Sequence, residues 1–347
     1  MSDSNPHVVI YSGIQADVGG IERNIVQLID MLSKHYRFTV LSAASSGFIE
    51  RIQAAGADFT SIRVPGAFSP GGIRRLANRF RNELRADLIH AVDPRGSSIA
   101  CPAGKIAHIP TIYRHSVSPL DYENLTAARR FLYACGEAAL GWLCVDAAIF
   151  VSERMRRQYV RRRIIPASRS HYIPNSVDLT VCDSLHARRD SLRSKLAFAP
   201  DEFVWINIGR ITYQKAQDVI VDAAARLAAE SKSRWRLVLV GDGQWREQIE
   251  SQILRLNLSQ RVTLTGNVPH QIALEMLAAS DALVFPSRYE GMPNTVLEAM
   301  ALGIPVVVTD VGDSLYISGV ENMPPAGLCV PVNDAESLAH VMTRIMQ

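Results

Sequence analysis

Five cysteines, an odd number with no C-x-x-C pair among them, argue against a disulfide framework and against thiolate zinc ligation, and fit reduced thiols in a cytoplasmic protein. A secretory leader is also missing: MSDSNPHVVIYSG passes from a few polar residues straight into an apolar strand, without a charged start and an apolar core. No run of membrane-spanning length is free of acid. The best, residues 131–151, holds Glu137 and Asp146. Each acid near a bilayer centre costs about 2.5–3.5 kcal/mol, so this run reads as a buried helix followed by a strand. An excess of one charge is lacking too, since 37 Lys and Arg against 34 Asp and Glu leave +3, too little for a general nucleic-acid binder.

What the 347 residues do have, at 48% hydrophobic and 20% charged, is enough apolar material for two ordinary domains. Strand and helix signals alternate through the first half, with strands predicted at 7–11, 38–41, 87–92, 111–114, 147–151 and 171–173. After IPNSVD (173–178) the pattern lapses into a charged stretch, which places a boundary there and gives domains 1–178 and 179–347. The alternation then resumes, with strands at 204–208, 237–240, 262–264, 282–285 and 306–308. The fold class predicted is α/β: two doubly wound Rossmann-like parallel-sheet domains facing across a cleft, a favoured setting for ligands.

The most informative stretch is PSRYEGMPNTVLEAMALGIPVVVTD, residues 286–310, which reads as strand end, tight loop, helix and strand. Pro293 bars an earlier helix start, and Pro293 or Asn294 serves as cap or first turn. The backbone N–H groups of Thr295 and Val296 are then expected to lack intrahelical acceptors at the positive end of a helix dipole, a ready anion site. Glu290 and Glu298 bracket that end, and Gly291 lets the backbone approach a ligand. An ionised carboxylate only accepts hydrogen bonds, so its work beside a phosphate is to hold sugar hydroxyls. The plainer alternative is a Glu298 that complements the helix end and a solvated Glu290.

Glu290, GMPN, Glu298 and the following AMALGIPVV resemble the E-x7-E signature of retaining GT-B glycosyltransferases, above all family 4. The resemblance implies that Glu290 contacts the donor sugar, that Glu298 holds the ribose of the nucleotide, and that the Thr295 and Val296 amides meet the diphosphate, with Gly291 and Asn294 in the same donor-binding loop. GGIER resembles a GG-x-ER segment of the family and makes Gly19 and Gly20 a ligand-facing loop, while Glu22 and Arg23 cap and orient the helix that follows. GR-x4-K resembles the segment that grips the donor diphosphate and assigns that work to Arg210 and Lys215, although this chain has Ala216 where the family commonly has glycine. LTGNVPH (264–270) resembles a landmark near the nucleotide base. His115, just past a strand end, resembles the family histidine that contacts the donor sugar or aligns the acceptor; His90 reads as packing.

The expected activity is transfer of a sugar from a nucleotide diphosphate sugar to a glycan or lipid-linked acceptor hydroxyl, with retention at the anomeric carbon. His115, Glu290, Arg210 and Lys215 are the catalytic candidates. No Asp-x-Asp triplet is present, so no metal is expected, and no cofactor beyond the nucleotide-sugar co-substrate. A glycosidase using Glu290 and Glu298 is disfavoured, because both belong to one loop-helix unit beside a phosphate site and Arg210 and Lys215 would then have no purpose. A non-catalytic sugar-nucleotide binder on the same fold is the other alternative. The basic segment 73–85, IRRLANRFRNELR, with Leu76, Phe80 and Leu84 on one face, is a candidate for peripheral contact with an anionic membrane, at the inner face if so; the alternative is an ordinary helix packed on the sheet. The resemblance also implies return helices beyond the final stretch DAESLAHVMTRIMQ.

Overall fold

The computed structural model describes residues 5–13, 19–43, 46–62, 69–122, 125–318 and 327–347. Two compact units divide the chain, Met1–Asn175 and Ser176–Gln347. Part of the glycine-bearing loop that follows the first strand, 14–18, lies outside the described residues.

The first unit is built on β1 (His7–Tyr11), β2 (Arg37–Ser42), β3 (Asp58–Ser61), β4 (Leu88–Ala91), β5 (Thr111–His115), β6 (Ala147–Phe150) and β7 (Ser170–Tyr172). The strands form one parallel sheet in the order β3-β2-β1-β4-β5-β6-β7. The unbroken apolar run of β1 fits its place at the centre, where both faces are covered and every residue is buried. Chain order reverses between β1 and β4, the point at which an open parallel sheet leaves a crevice beyond its carboxyl edge. There Asp93 is fully buried and accepts the N–H groups of Gly13 and Gly96, each at 2.7 Å. A side chain at Gly13 would meet the Gly96 backbone at 2.6 Å, so only glycine lets the loop close on the helix Pro94–Ala107.

The second unit holds β8 (Phe203–Ile208), β9 (Trp235–Val240), β10 (Val262–Gly266), β11 (Ala282–Phe285), β12 (Val306–Thr309) and β13 (Gly327–Val330), in the order β10-β9-β8-β11-β12-β13, again all parallel. Its switch point lies between β8 and β11. The α/β, doubly wound class expected from the sequence is found in both units. The edge strands β3 and β13 were not among the strands predicted.

Two expectations for the first unit are corrected. The helix Ala127–Leu143 is not buried: Glu137, Leu140 and Gly141 are its buried residues, while Phe131, Leu132, Trp142 and Leu143 are 69%, 67%, 52% and 65% exposed. The apolar face of segment 73–85 is not available to lipid, because Leu76 and Phe80 are buried in the core and Leu84 packs against it. That segment is a helix, Pro70–Asn78, capped by the Ser69 hydroxyl on the Gly72 N–H, continuing into one wide π-helical turn, Arg79–Glu83.

Candidate functional site

The loops that leave β8 and β11 meet at the switch point of the second unit. After β8 the chain runs through Gly209, Arg210 and Ile211 to Lys215, then reverses at Ala216, whose φ of 55° is left-handed, before the helix Gln217–Glu230. The family's glycine would take that conformation without strain; here the alanine methyl is fully buried among the core side chains, which offsets part of the cost. A buried polar chain holds the loop in place. Asn207 Nδ2 donates to the Val284 carbonyl at 2.8 Å, and Gln217 Nε2 donates to Asn207 Oδ1 at 3.2 Å and to the Arg210 carbonyl at 3.1 Å.

The chain leaving β11 is tied to the same loop. The Arg288 N–H donates to the Gln214 carbonyl at 2.8 Å and Gln214 Nε2 to the Tyr289 carbonyl at 3.0 Å. Arg288 itself is buried; its guanidinium pairs with both Asp218 oxygens at 2.6 and 3.0 Å, donates to the Tyr213 carbonyl and to Asn333 Oδ1, and lies over the Tyr213 ring at 4.3 Å. The sequence does not single it out, because an arginine after a strand looks the same in sequence whether solvated or enclosed. On the other side, the loop after β12 closes in at Gly312, where φ is 55° and a side chain would meet the Glu290 and Gly291 carbonyls at 2.4 and 2.3 Å.

These supports bring Lys215 and Glu290 together. Lys215 Nζ donates to Glu290 Oε1 at 2.5 Å and lies 4.7 Å from the centre of the Phe285 ring, with Glu290 buried and Lys215 mostly so. One of the three ammonium donors is engaged this way and two remain. Arg210 is exposed, and among the described residues its guanidinium makes no hydrogen bond or ion pair. The helix Asn294–Ala301 starts behind Pro293, with Gly291 buried in the loop before it and the Thr295 hydroxyl facing the Ile208 carbonyl at 3.5 Å.

The expected pair of open amides is corrected to one. The Val296 N–H turns back to the Pro293 carbonyl at 3.1 Å, a tight first turn, and among the described residues only the Thr295 N–H of the two is left open. Glu298 is buried and its Oε1 lies 3.0 Å from His270 Nε2. His270 had entered only as the end of LTGNVPH; its pairing with Glu298 was not foreseen. Among the described residues no three His, Cys, Asp or Glu side chains gather as a metal site would require.

Gly19, Gly20 and His115 belong to the first unit. Gly19 is the extended residue that caps the helix Gly20–Leu32, whose Glu22 is buried. His115 ends β5, but its ring is 3% exposed, stacked on Phe150 at 4.4 Å and against Tyr113 at 3.8 Å. Its Nδ1 is 3.5 Å from Glu137 Oε2. Burial pushes His115 down to about 3 and Glu137 up to about 7, the latter opposed by a hydrogen bond from the Tyr113 hydroxyl, so this is a contact between largely neutral groups rather than an ion pair. His90 is likewise buried and lowered to about 3, by desolvation first and then by Arg114.

A carboxyl whose pKa is raised by folding stabilises the native state as the neutral acid. Its contribution is complete below its ordinary 4.5 and is lost as pH rises through about 7. Between pH 5 and 8, Glu137→Gln is expected to remove a loss of stability of about 3 kcal/mol. The two histidines act in the opposite sense, present above 6.5 and lost as pH falls toward 3, and are common to both proteins. Urea unfolding of wild type and variant at both pH values checks this; parallel pH dependence in the two would contradict the assignment.

Comparison with known proteins completes the description. The family model described as Glycosyltransferase Family 4 matches residues 18–181, and the model described as Glycosyl transferases group 1 matches 188–347. An alpha-D-kanosaminyltransferase of Streptomyces kanamyceticus is 27% identical over 81% of this chain and 74% of its own. A GDP-mannose-dependent monoacylated alpha-(1-6)-phosphatidylinositol monomannoside mannosyltransferase of Corynebacterium glutamicum is 26% identical over 100% of this chain and 90% of its own. Over eight such relatives the share of the other chain that is matched runs from 26% to 90%. In fold, the chain is similar to Anabaena HepE solved with UDP and glucose, at a TM-score of 0.81 and 20% identity, covering 99% of this chain and 90% of that one.

Proposed function

Because this chain belongs to the group 1, family 4 glycosyltransferases of the GT-B fold, we propose that it transfers a sugar from a nucleotide diphosphate sugar to an acceptor hydroxyl with retention at the anomeric carbon, in synthesis of a glycan or glycolipid. The observation that carries the reading is the convergence of Lys215, Glu290 and the start of helix Asn294–Ala301 at the switch point of one sheet, 2.5 Å separating the first two. The leaving group is a nucleotide diphosphate. Arg210 and the two remaining donors of Lys215 neutralise its charge as the glycosidic bond breaks, joined by the Thr295 amide, an electrostatic task that needs neither a metal nor a covalent nucleophile. Glu290, held by Lys215, accepts hydroxyls of the donor sugar; Glu298, held by His270, accepts those of the ribose. Asn294 and Gly291 shape the loop between them. Within the first unit, Gly19 and Gly20 form a ligand-facing loop, and His115, enclosed by aromatics, acts by positioning the end of β5 rather than by touching sugar.

The two glutamates separate in a binding experiment. Titration calorimetry with UDP, GDP and ADP first identifies the base. For that nucleotide Glu298→Ala is expected to weaken binding at least tenfold, about 1.4 kcal/mol, whereas Glu290→Ala leaves it unchanged. Equal losses in both variants, or no binding of any nucleotide, would overturn the assignment.

A further inference from the structure

The helix Ala127–Leu143 turns its one carboxyl inward and most of its large apolar residues outward. Glu137 is buried beside Tyr113 and His115, whereas Leu132, Cys135, Ala139 and Trp142 recur at steps of three and four residues and form one exposed stripe, flanked by Phe131 and Leu143. From Phe131 to Leu143 that stripe is about 18 Å long, on a helix of 17 residues. A contiguous apolar face of this size on an otherwise soluble surface marks an interaction site.

The surroundings decide what it meets. At the amino end of the stripe, Arg129 and Arg130 are exposed. At the other end the Trp142 indole N–H donates to the Arg163 carbonyl at 2.8 Å, which fixes the ring edge-bound with its apolar body in solvent, and Arg169 reaches the carbonyls of Trp142 and Val145 at 3.3 and 3.1 Å. Arg161, Arg162 and Arg163 follow, all exposed. Among the described residues, the nearby carboxylates are Asp146, which accepts the Thr111 N–H at 2.9 Å, and Asp121, which faces Arg162. Cations therefore predominate at both ends of the stripe. Pairing two copies antiparallel along it would set Arg129 and Arg130 of one against Arg161–Arg163 of the other, so charge disfavours a second copy of this chain. An anionic lipid surface complements apolar stripe, interfacial tryptophan and flanking arginines together.

We infer that the solvent face of helix Ala127–Leu143 is a docking surface for an anionic bilayer, entering at headgroup depth with Leu132 and Trp142 as anchors and the arginine clusters against lipid phosphates. This is independent of the donor chemistry above. The segment 73–85, whose apolar face belongs to the core, is not the lipid-facing element.

Sedimentation with vesicles tests it. The full chain is expected to bind vesicles of phosphatidylcholine with one third phosphatidylglycerol at 0.1 M NaCl at least tenfold more tightly than phosphatidylcholine alone. The double variant Leu132→Asp/Trp142→Asp, both positions being exposed, should lose that binding tenfold or more with its circular dichroism and nucleotide affinity unchanged. Arg161→Gln/Arg162→Gln/Arg163→Gln should weaken it and flatten its salt dependence. Failure to bind the anionic vesicles, or binding indifferent to the double variant, overturns the inference. So does a dimer formed without lipid that the double variant dissociates, which would assign the face to a second copy.

Discussion

Lys215→Ala is expected to lower turnover by about 10²–10³ at saturating donor, the loss typical when one preorganised charge-stabilising donor is removed from a site. Among the described residues nothing nearby replaces it in kind. Arg210 is exposed, where its charge is screened, while Lys215 is mostly enclosed, set over the Phe285 ring and fixed by Glu290 at 2.5 Å. Lys215→Arg does not restore the geometry, because a planar guanidinium is larger than an ammonium and cannot take its point position against Glu290 in an enclosed site. Part of the penalty reaches the folded state as well, since the variant leaves Glu290 buried without its cation. Steady-state kcat, with thermal unfolding followed in parallel, separates the two effects; a kcat near that of wild type removes Lys215 from the chemistry.

Arg288→Ala should be the most destabilising of the single changes considered, by about 3–5 kcal/mol, the range for removing one partner of a buried, hydrogen-bonded pair. Its guanidinium satisfies Asp218 on two oxygens, the Tyr213 carbonyl and Asn333, so truncation strands several polar groups together. Arg288→Lys retains charge but only part of that set and should lie between. Because the residue clamps the loop that carries Arg210 and Lys215, the lysine variant is expected to fold and yet lose activity through kcat. Denaturant unfolding of both variants measures the effect. A loss under about 1 kcal/mol for the alanine variant would show the clamp to be ornamental.

The central strands were legible because burial on both faces demands unbroken apolar runs, and VVIY, ALVF and VVVT are such runs. The edges were not. β3, DFTS, has no fully buried residue and so carries no apolar signal for a strand. Direction was the other blind spot. Hydropathy gives how much of a helix is apolar and leaves open which side faces the protein; at residues 127–143 a carboxyl with aromatic and imidazole partners took the inner side, and at 73–85 the apolar side did. In the site, each residue type was readable near its own strand end, but the pairing of Lys215 with Glu290 depends on β8 and β11 being neighbours, which only the strand order supplies. Arg288 with Asp218 and His270 with Glu298 were missed for the same reason: long-range partners leave no local spacing.

The outward-facing helix has a thermodynamic consequence as well. From Ala127 to Tyr133 every residue is exposed, so its first two turns rest on their own ladder and on the Thr126 hydroxyl that accepts the Arg129 N–H at 3.3 Å. Isolated helices shorter than about 12–15 residues are marginal in water, because nucleation fixes several dihedrals for one hydrogen bond. Those turns are thus close to the helix–coil midpoint on their own, while the turns around Glu137 and Leu140 are locked to the sheet. A surface that covers Leu132 would shift that local equilibrium toward helix, and the ordering free energy would be subtracted from whatever affinity the contact itself provides.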